Sequence, residues 1–285
     1  MEKTDVVRYA LNAGVDILLM PISLANDNGE LDAYINTVVN LVQNGEIPEE
    51  NINKSVTRIL KLKQKMGLLD ENNSFELTND KIQNALKVVG SEEHHNKEFQ
   101  IAKKAITLVK GQELLPINKS EKVLFLNSYE NEKNSVEYAI EKLKEDNILD
   151  DSFKYEIDSF GGKEFAEIKE KVNDASIVVV LADTVKNAYF NNENKDGWQG
   201  RFIDKAIEEA HAQNKKVIIV SCMLPYDAFR YTDADVIVCA YGDRIISNLP
   251  IEYNGETETF GANITAAIVK LFSNEEFIAS MPVDK

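Results

Sequence analysis

From Phe99 onward the chain repeats one pattern. Short runs that are apolar at every position alternate with stretches that are apolar only every third or fourth residue. Ser176 to Ala182 (SIVVVLA) is the most strand-like of these runs, joined by Lys122 to Asn127, Lys216 to Ser221 and Ala234 to Tyr241. A strand that is apolar on both faces must be covered on both, and helices between successive strands permit right-handed parallel crossovers. The segments Ser135 to Asp146, Lys163 to Asn173, Gly200 to Gln213, Tyr226 to Arg230 and Asn263 to Phe272 read as those helices. Tyr155 to Ile157 reads as a weak peripheral strand, and Phe99 to Leu108 as a further helix. The pattern specifies an α/β fold: a three-layer α/β/α sandwich with a mostly parallel sheet.

The first part of the chain is organised differently. Val6 to Ala13 reads as a helix closed by Gly14, and Val15 to Met20 as a buried strand closed by Pro21. Leu31, Tyr34, Ile35, Val38, Val39 and Val42 recur at helical spacing up to Asn44-Gly45, and Pro48-Glu49-Glu50 opens another helix. A single parallel strand has no partner for its backbone groups, so this piece requires neighbouring strands or cover from elsewhere. Residues 67–95 are polar and read as a connector holding one short helix near Lys81 to Val88. The expected organisation is therefore residues 1–66, a connector over 67–95, and a sandwich over 96–285.

A chain of 285 residues with 44% hydrophobic and 28% charged residues has the makeup of an ordinary globular protein. Its formal charge of −16 excludes polyanionic partners, so neither nucleic acid nor an anionic membrane surface is expected. No apolar run reaches the roughly 18–20 residues of a bilayer span. The N-terminus lacks a secretory pattern, and a cytoplasmic setting is expected. Cys222 and Cys239 both lie in apolar runs and read as reduced core residues.

In open α/β sheets, ligands bind beyond the C-terminal strand ends. Asp183, Asp227 and Asp243 follow such ends, and Asp196 and Trp198 lie on the long polar segment 187–200. These five are the candidate substrate-binding residues. Trp198 offers a flat apolar face for sugar stacking or an interface, or anchors its own loop. Each aspartate reads more simply as a loop cap or turn residue. There is no phosphate-cradling glycine motif and no G-x-S-x-G elbow, which removes nucleotide binding and the usual α/β-hydrolase nucleophile. No cofactor is expected. His94-His95 and His211 lack metal-ligand spacing, so no metal site is expected, and His211 suits the C-terminal dipole of its helix.

Two stretches carry a family resemblance. Ala10 to Pro21 (ALNAGVDILLMP) and Tyr34 to Lys63, containing Gly45-Glu46-Ile47 and Ser55-Val56-Thr57-Arg58-Ile59-Leu60, resemble the end of the barrel domain of family 3 glycoside hydrolases. Ala102 to Pro116 and Ala234 to Gly242 are similar to that family's second domain, and the flavour is nearest the bacterial β-N-acetylglucosaminidase branch. The resemblance implies a helical remnant of a (β/α)8 barrel in front of the sandwich. It implies hydrolysis of terminal β-linked sugars, with carbohydrate as ligand of the assembled enzyme. It also implies what this chain lacks. The family's nucleophilic Asp and its acid/base segment stand on other barrel units, and Thr4-Asp5 imitates the nucleophile pair in letters only. No catalytic residue is therefore assigned. The expected partner is the missing barrel domain or a second copy of the chain. The alternative is a non-enzymatic carbohydrate-binding or interaction module derived from that family.

Overall fold

The computed structural model describes residues 3–19, 28–72, 76–183, 198–242 and 261–284. They form two compact units, residues 1–82 and residues 83–285.

In the first unit, α1 (Lys3–Asn12), α2 (Asn28–Gln43) and α3 (Glu49–Lys65) surround a small core of Val7, Leu11, Leu41 and Ile47. Glycines end the first two helices as expected: Gly14 and Gly45 have φ of 91° and 75°, where a Cβ would be strained. Pro48 stands at the N-cap of α3, ahead of two acidic residues that favour the positive end of the helix dipole. Asp5 belongs to α1 and pairs with Arg8 at 2.7 Å, which is a local helix contact.

The strand expected over Val15 to Met20 is not formed: residues 15–19 belong to no strand. The physical reason is the one raised by the sequence, since among the described residues no other strand stands in this unit to pair with it. As a result Ile17 and Leu19 are 64% and 86% exposed. One ionic contact ties the segment down. Arg58 on α3 forks onto Asp16, Nε to Oδ2 at 2.8 Å and Nη2 to Oδ1 at 2.5 Å.

The second unit begins with α4 (Asn79–Val88), which starts in the first, and α5 (Glu92–Ala105), whose N-cap Ser91 accepts from the His94 N–H. The helix therefore begins well before Phe99 and includes both connector histidines. It also ends sooner. Thr107–Lys110 is not helical but forms β1, which pairs antiparallel with β6 (Val236–Cys239). Gly111 closes β1 with φ of 91°, where a Cβ would sit 2.4 Å from the Asp235 carbonyl oxygen.

The remaining strands are β2 (Val123–Asn127), β3 (Tyr155–Ser159), β4 (Ile177–Ala182) and β5 (Lys216–Ser221). The sheet order is β1-β6-β5-β4-β2-β3, and every pairing except β1 with β6 is parallel. One face is covered by α5, α6 (Lys133–Glu145) and α10 (Ala262–Phe272), which pack on Val179, Leu181 and Val220. The other carries α7 (Lys169–Asp174), α8 (Trp198–Ala212) and α9 (Asp227–Arg230), packed on Val178, Val180 and Ile219. This is the α/β/α sandwich that the alternating pattern specifies. Each fully buried Val or Leu of β4 contributes roughly 1.5–3 kcal/mol of transfer free energy. The expected helix over Lys163 to Asn173 is reduced to a 3-10 turn at Phe165–Glu167 followed by α7.

Hydrogen bonds from Arg58 and Ser55 hold the Asp16 carboxyl at about 2, below its ordinary 3.8. A depressed carboxylate pKa stabilises the fold above the unfolded value and ceases to do so as pH falls through the folded one. Replacing Asp16 by Asn should therefore destabilise α1–α3 at neutral pH, and the gap from wild type should close as pH falls from about 4 towards 2. Amide exchange of residues 3–65, compared at both pH values, checks this; an equal gap at both would contradict it.

Candidate functional site

The C-terminal ends of the parallel strands β2, β4, β5 and β6 lie side by side along one edge of the sheet. Small residues allow the close approach. Gly161 after β3 lies where a Cβ would come 2.9 Å from the Ser128 carbonyl oxygen, and the Phe160 N–H donates to the Asn127 carbonyl at 3.0 Å. Gly242 leaves room for Asn263, whose side-chain amide donates to the Ala240 carbonyl at 2.6 Å and fixes the start of α10 against β6. Ser135 on α6 accepts from the Gly261 N–H at 2.7 Å and completes that corner.

Asp183 stands directly after β4 and is fully buried. Its N–H donates to Ser128 Oγ at 3.3 Å, and that hydroxyl donates in turn to the Leu181 carbonyl at 2.7 Å. Asp227 opens α9 and is also fully buried. Its charge is felt at Cys239: burial pushes the Cys239 thiol up to about 12, the Ser221 hydroxyl opposes the rise, and the Asp227 charge adds to it. Both cysteines are buried thiols outside any disulfide, as their apolar settings imply. Trp198 is the first residue of α8, so its backbone is helical where the sequence reading places it on a loop. Asp196 and Asp243 lie outside the described residues. Among the described residues, no group of His, Cys, Asp and Glu has the arrangement to hold a metal ion. His211 stands in the last turn of α8, where its dipole reading puts it, and also reaches Asp235 Oδ2 at 3.0 Å.

One residue at this edge was not singled out by its sequence. Asn127, the last residue of β2, is fully buried, and neither atom of its side-chain amide meets a hydrogen-bond partner among the described residues. Alternation along β2 puts it on the same face as Val123 and Phe125, the face that α6 and α10 cover. An Asn closing an apolar run is also a common strand terminator, so nothing in its pattern marked it.

Comparison with known proteins bears on what this edge serves. Residues 1–62 match the family model described as Glycosyl hydrolase family 3 N terminal domain. The likeness to family 3 lies in the first unit. Beta-hexosaminidase A of Pseudoalteromonas piscicida is 30% identical over 124 residues, covering 43% of this chain and 19% of that protein. A family 3 β-N-acetylglucosaminidase structure from Paenibacillus sp. superposes with a TM-score of 0.52 at 19% identity, over 92% of this chain and 44% of that one. The chain thus spans less than half the length of these two relatives. The superposition supports the shared fold. The family model falls on the segment that carries Asp16 and Arg58.

A buried amide without protein partners costs roughly 1–3 kcal/mol. Replacing Asn127 by Leu should leave the fold intact and leave stability unchanged or raised by up to about that amount. Urea unfolding measures it; a loss of several kcal/mol would mean that the amide is structurally paired.

Proposed function

We propose that the chain is the C-terminal portion of a family 3 glycoside hydrolase of the β-N-acetylglucosaminidase or β-glucosidase type. In this reading it supports, and does not itself contain, the groups that cleave terminal β-linked sugars. The observation that carries the proposal is the unpaired segment from Val15 to Leu19. It matches the family's N-terminal domain model, yet it presents Ile17 and Leu19 to solvent and joins no strand. A segment built for a sheet and left outside one implies that the rest of that sheet comes from other polypeptide. The same apolar faces on α2 and α3, where Ile35, Val56 and Leu60 are exposed, favour a partner that completes the unit. That partner is the remainder of the barrel domain, or, without it, a second copy of this chain.

The chemistry agrees. Glycoside hydrolysis through a covalent intermediate takes two carboxyl groups roughly 5–5.5 Å apart that reach the sugar. Of the candidate acids, Asp183 and Asp227 are buried at the ends of different strands. They suit shaping of the sheet edge better than attack on an anomeric carbon. In this proposal the loops at that edge contribute contacts to a sugar held chiefly by the barrel.

The purified chain should release no nitrophenol from nitrophenyl β-N-acetylglucosaminide above the blank, and light scattering should find it self-associated. Turnover that an Asp183→Asn or Asp227→Asn substitution abolishes would overturn the proposal. Saccharide binding by calorimetry without turnover, by a stable monomer, would favour the carbohydrate-binding module instead.

A further inference from the structure

The tail after α10 has a burial pattern at odds with its lack of secondary structure. Phe277, Ala279, Met281 and Val283 are partly buried, whereas Ile278, Ser280, Pro282 and Asp284 between them are exposed. Alternation with a period of two is what a strand lying on a surface produces. Yet residues 275–284 belong to no strand and take part in no backbone–backbone hydrogen bond among the described residues. Side chains hold the segment in place.

Phe277 packs on the core that α6 and α10 cover, and Met281 packs on the core of the opposite face. The tail therefore passes from one side of the sheet to the other. It does so at the corner where β1 and β6 meet. There Tyr241 Oη donates to Thr107 Oγ1 at 2.8 Å and lies 3.8 Å from Met281 Sδ. Tyr241 itself has φ of 61°, an uncommon conformation for a residue with a Cβ, so its side chain is placed by these contacts and not by relaxed backbone. At the base of the tail, Lys270 is 2% exposed. Its Nζ donates to the Glu276 carbonyl at 2.6 Å and lies 4.4 Å from the centroid of the Phe277 ring. Lys103 pairs with Glu275 beside it. The amine of Lys270 thus finds its acceptor and its aromatic cover on the tail, and burial lowers its pKa.

We propose that residues 275–284 are a detachable strap, an extended peptide bound in cis at the β1/β6 corner that undocks as a unit while the sheet stays folded. Docked, it buries Lys270 and fixes Tyr241 at the end of the sheet where ligands bind in folds of this type. Undocked, it frees both. Segments without ladder hydrogen bonds open at far lower free energy than central strands, so the opening is a local event. The proposal is independent of any glycosidase activity.

The full-length chain tests it through the accessibility of one amine. Lysine-directed acylation read by mass spectrometry gives the labelling rate of Lys270, and amide exchange of β5 gives the rate of global opening. In the wild type, Lys270 should label faster than β5 exchanges and with little dependence on low urea. The double substitution Phe277→Ala and Met281→Ala should raise the Lys270 rate by about tenfold or more, a factor of ten being about 1.4 kcal/mol. Exchange in β5 should not change, and Ile278→Ala should label like wild type. Should the double variant fail to fold, the urea dependence of the wild-type rate alone decides. A Lys270 rate that tracks β5 exchange, or that the folded double variant leaves unaltered, would overturn the strap.

Discussion

The parallel ladder of β2, β4 and β5 is the constraint on which the second unit depends. Phe125 pairs with Val179 and Val179 with Ile218, so one apolar row crosses the centre of the sheet. A shift of one residue would turn every such side chain to the other face. Both faces are buried here, so register and helix cover specify each other. The strand ends, and with them Asn127, Asp183 and Ser221, are placed by that register.

The elements legible in the sequence are those whose pattern has one solution. Ile177 to Ala182 is apolar at every position and too short for a helix, and it is β4. Thr107 to Lys110 was hidden because it follows α5 without a break and continues its apolar spacing. Only pairing with Val238 and Cys239 makes it an edge strand, and that is a tertiary decision. Val15 to Leu19 is the reverse case. Its letters say strand, but a strand is a property of a pair, and among the described residues the first unit supplies no second member.

The candidate site was legible as a place more than as a set of side chains. The rule of the C-terminal strand ends located the edge, and it found Asp183 and Asp227 there. It did not foresee that both would be enclosed, because burial of a loop carboxylate depends on which helices close over it. Asn127 carried no sequence signal, since its isolation comes from the packing of α6 and α10 above β2. In the first unit the fork of Arg58 onto Asp16 joins the two stretches of family resemblance, a link that spacing alone did not reveal.

The two units differ in self-sufficiency. The sandwich buries a core on each face of its sheet, whereas the first unit clusters four buried apolar side chains among its described residues and leaves Ile17, Leu19 and Leu60 exposed. Native-state hydrogen exchange of the isolated chain tests this asymmetry most directly. Amides of β4 and β5 should exchange only through global unfolding, and those of α1–α3 faster by a factor of roughly a thousand or more. Equal protection in α1–α3 and β4 would mean that the first unit needs no completing partner, and the account of this chain as part of a larger assembly would fail.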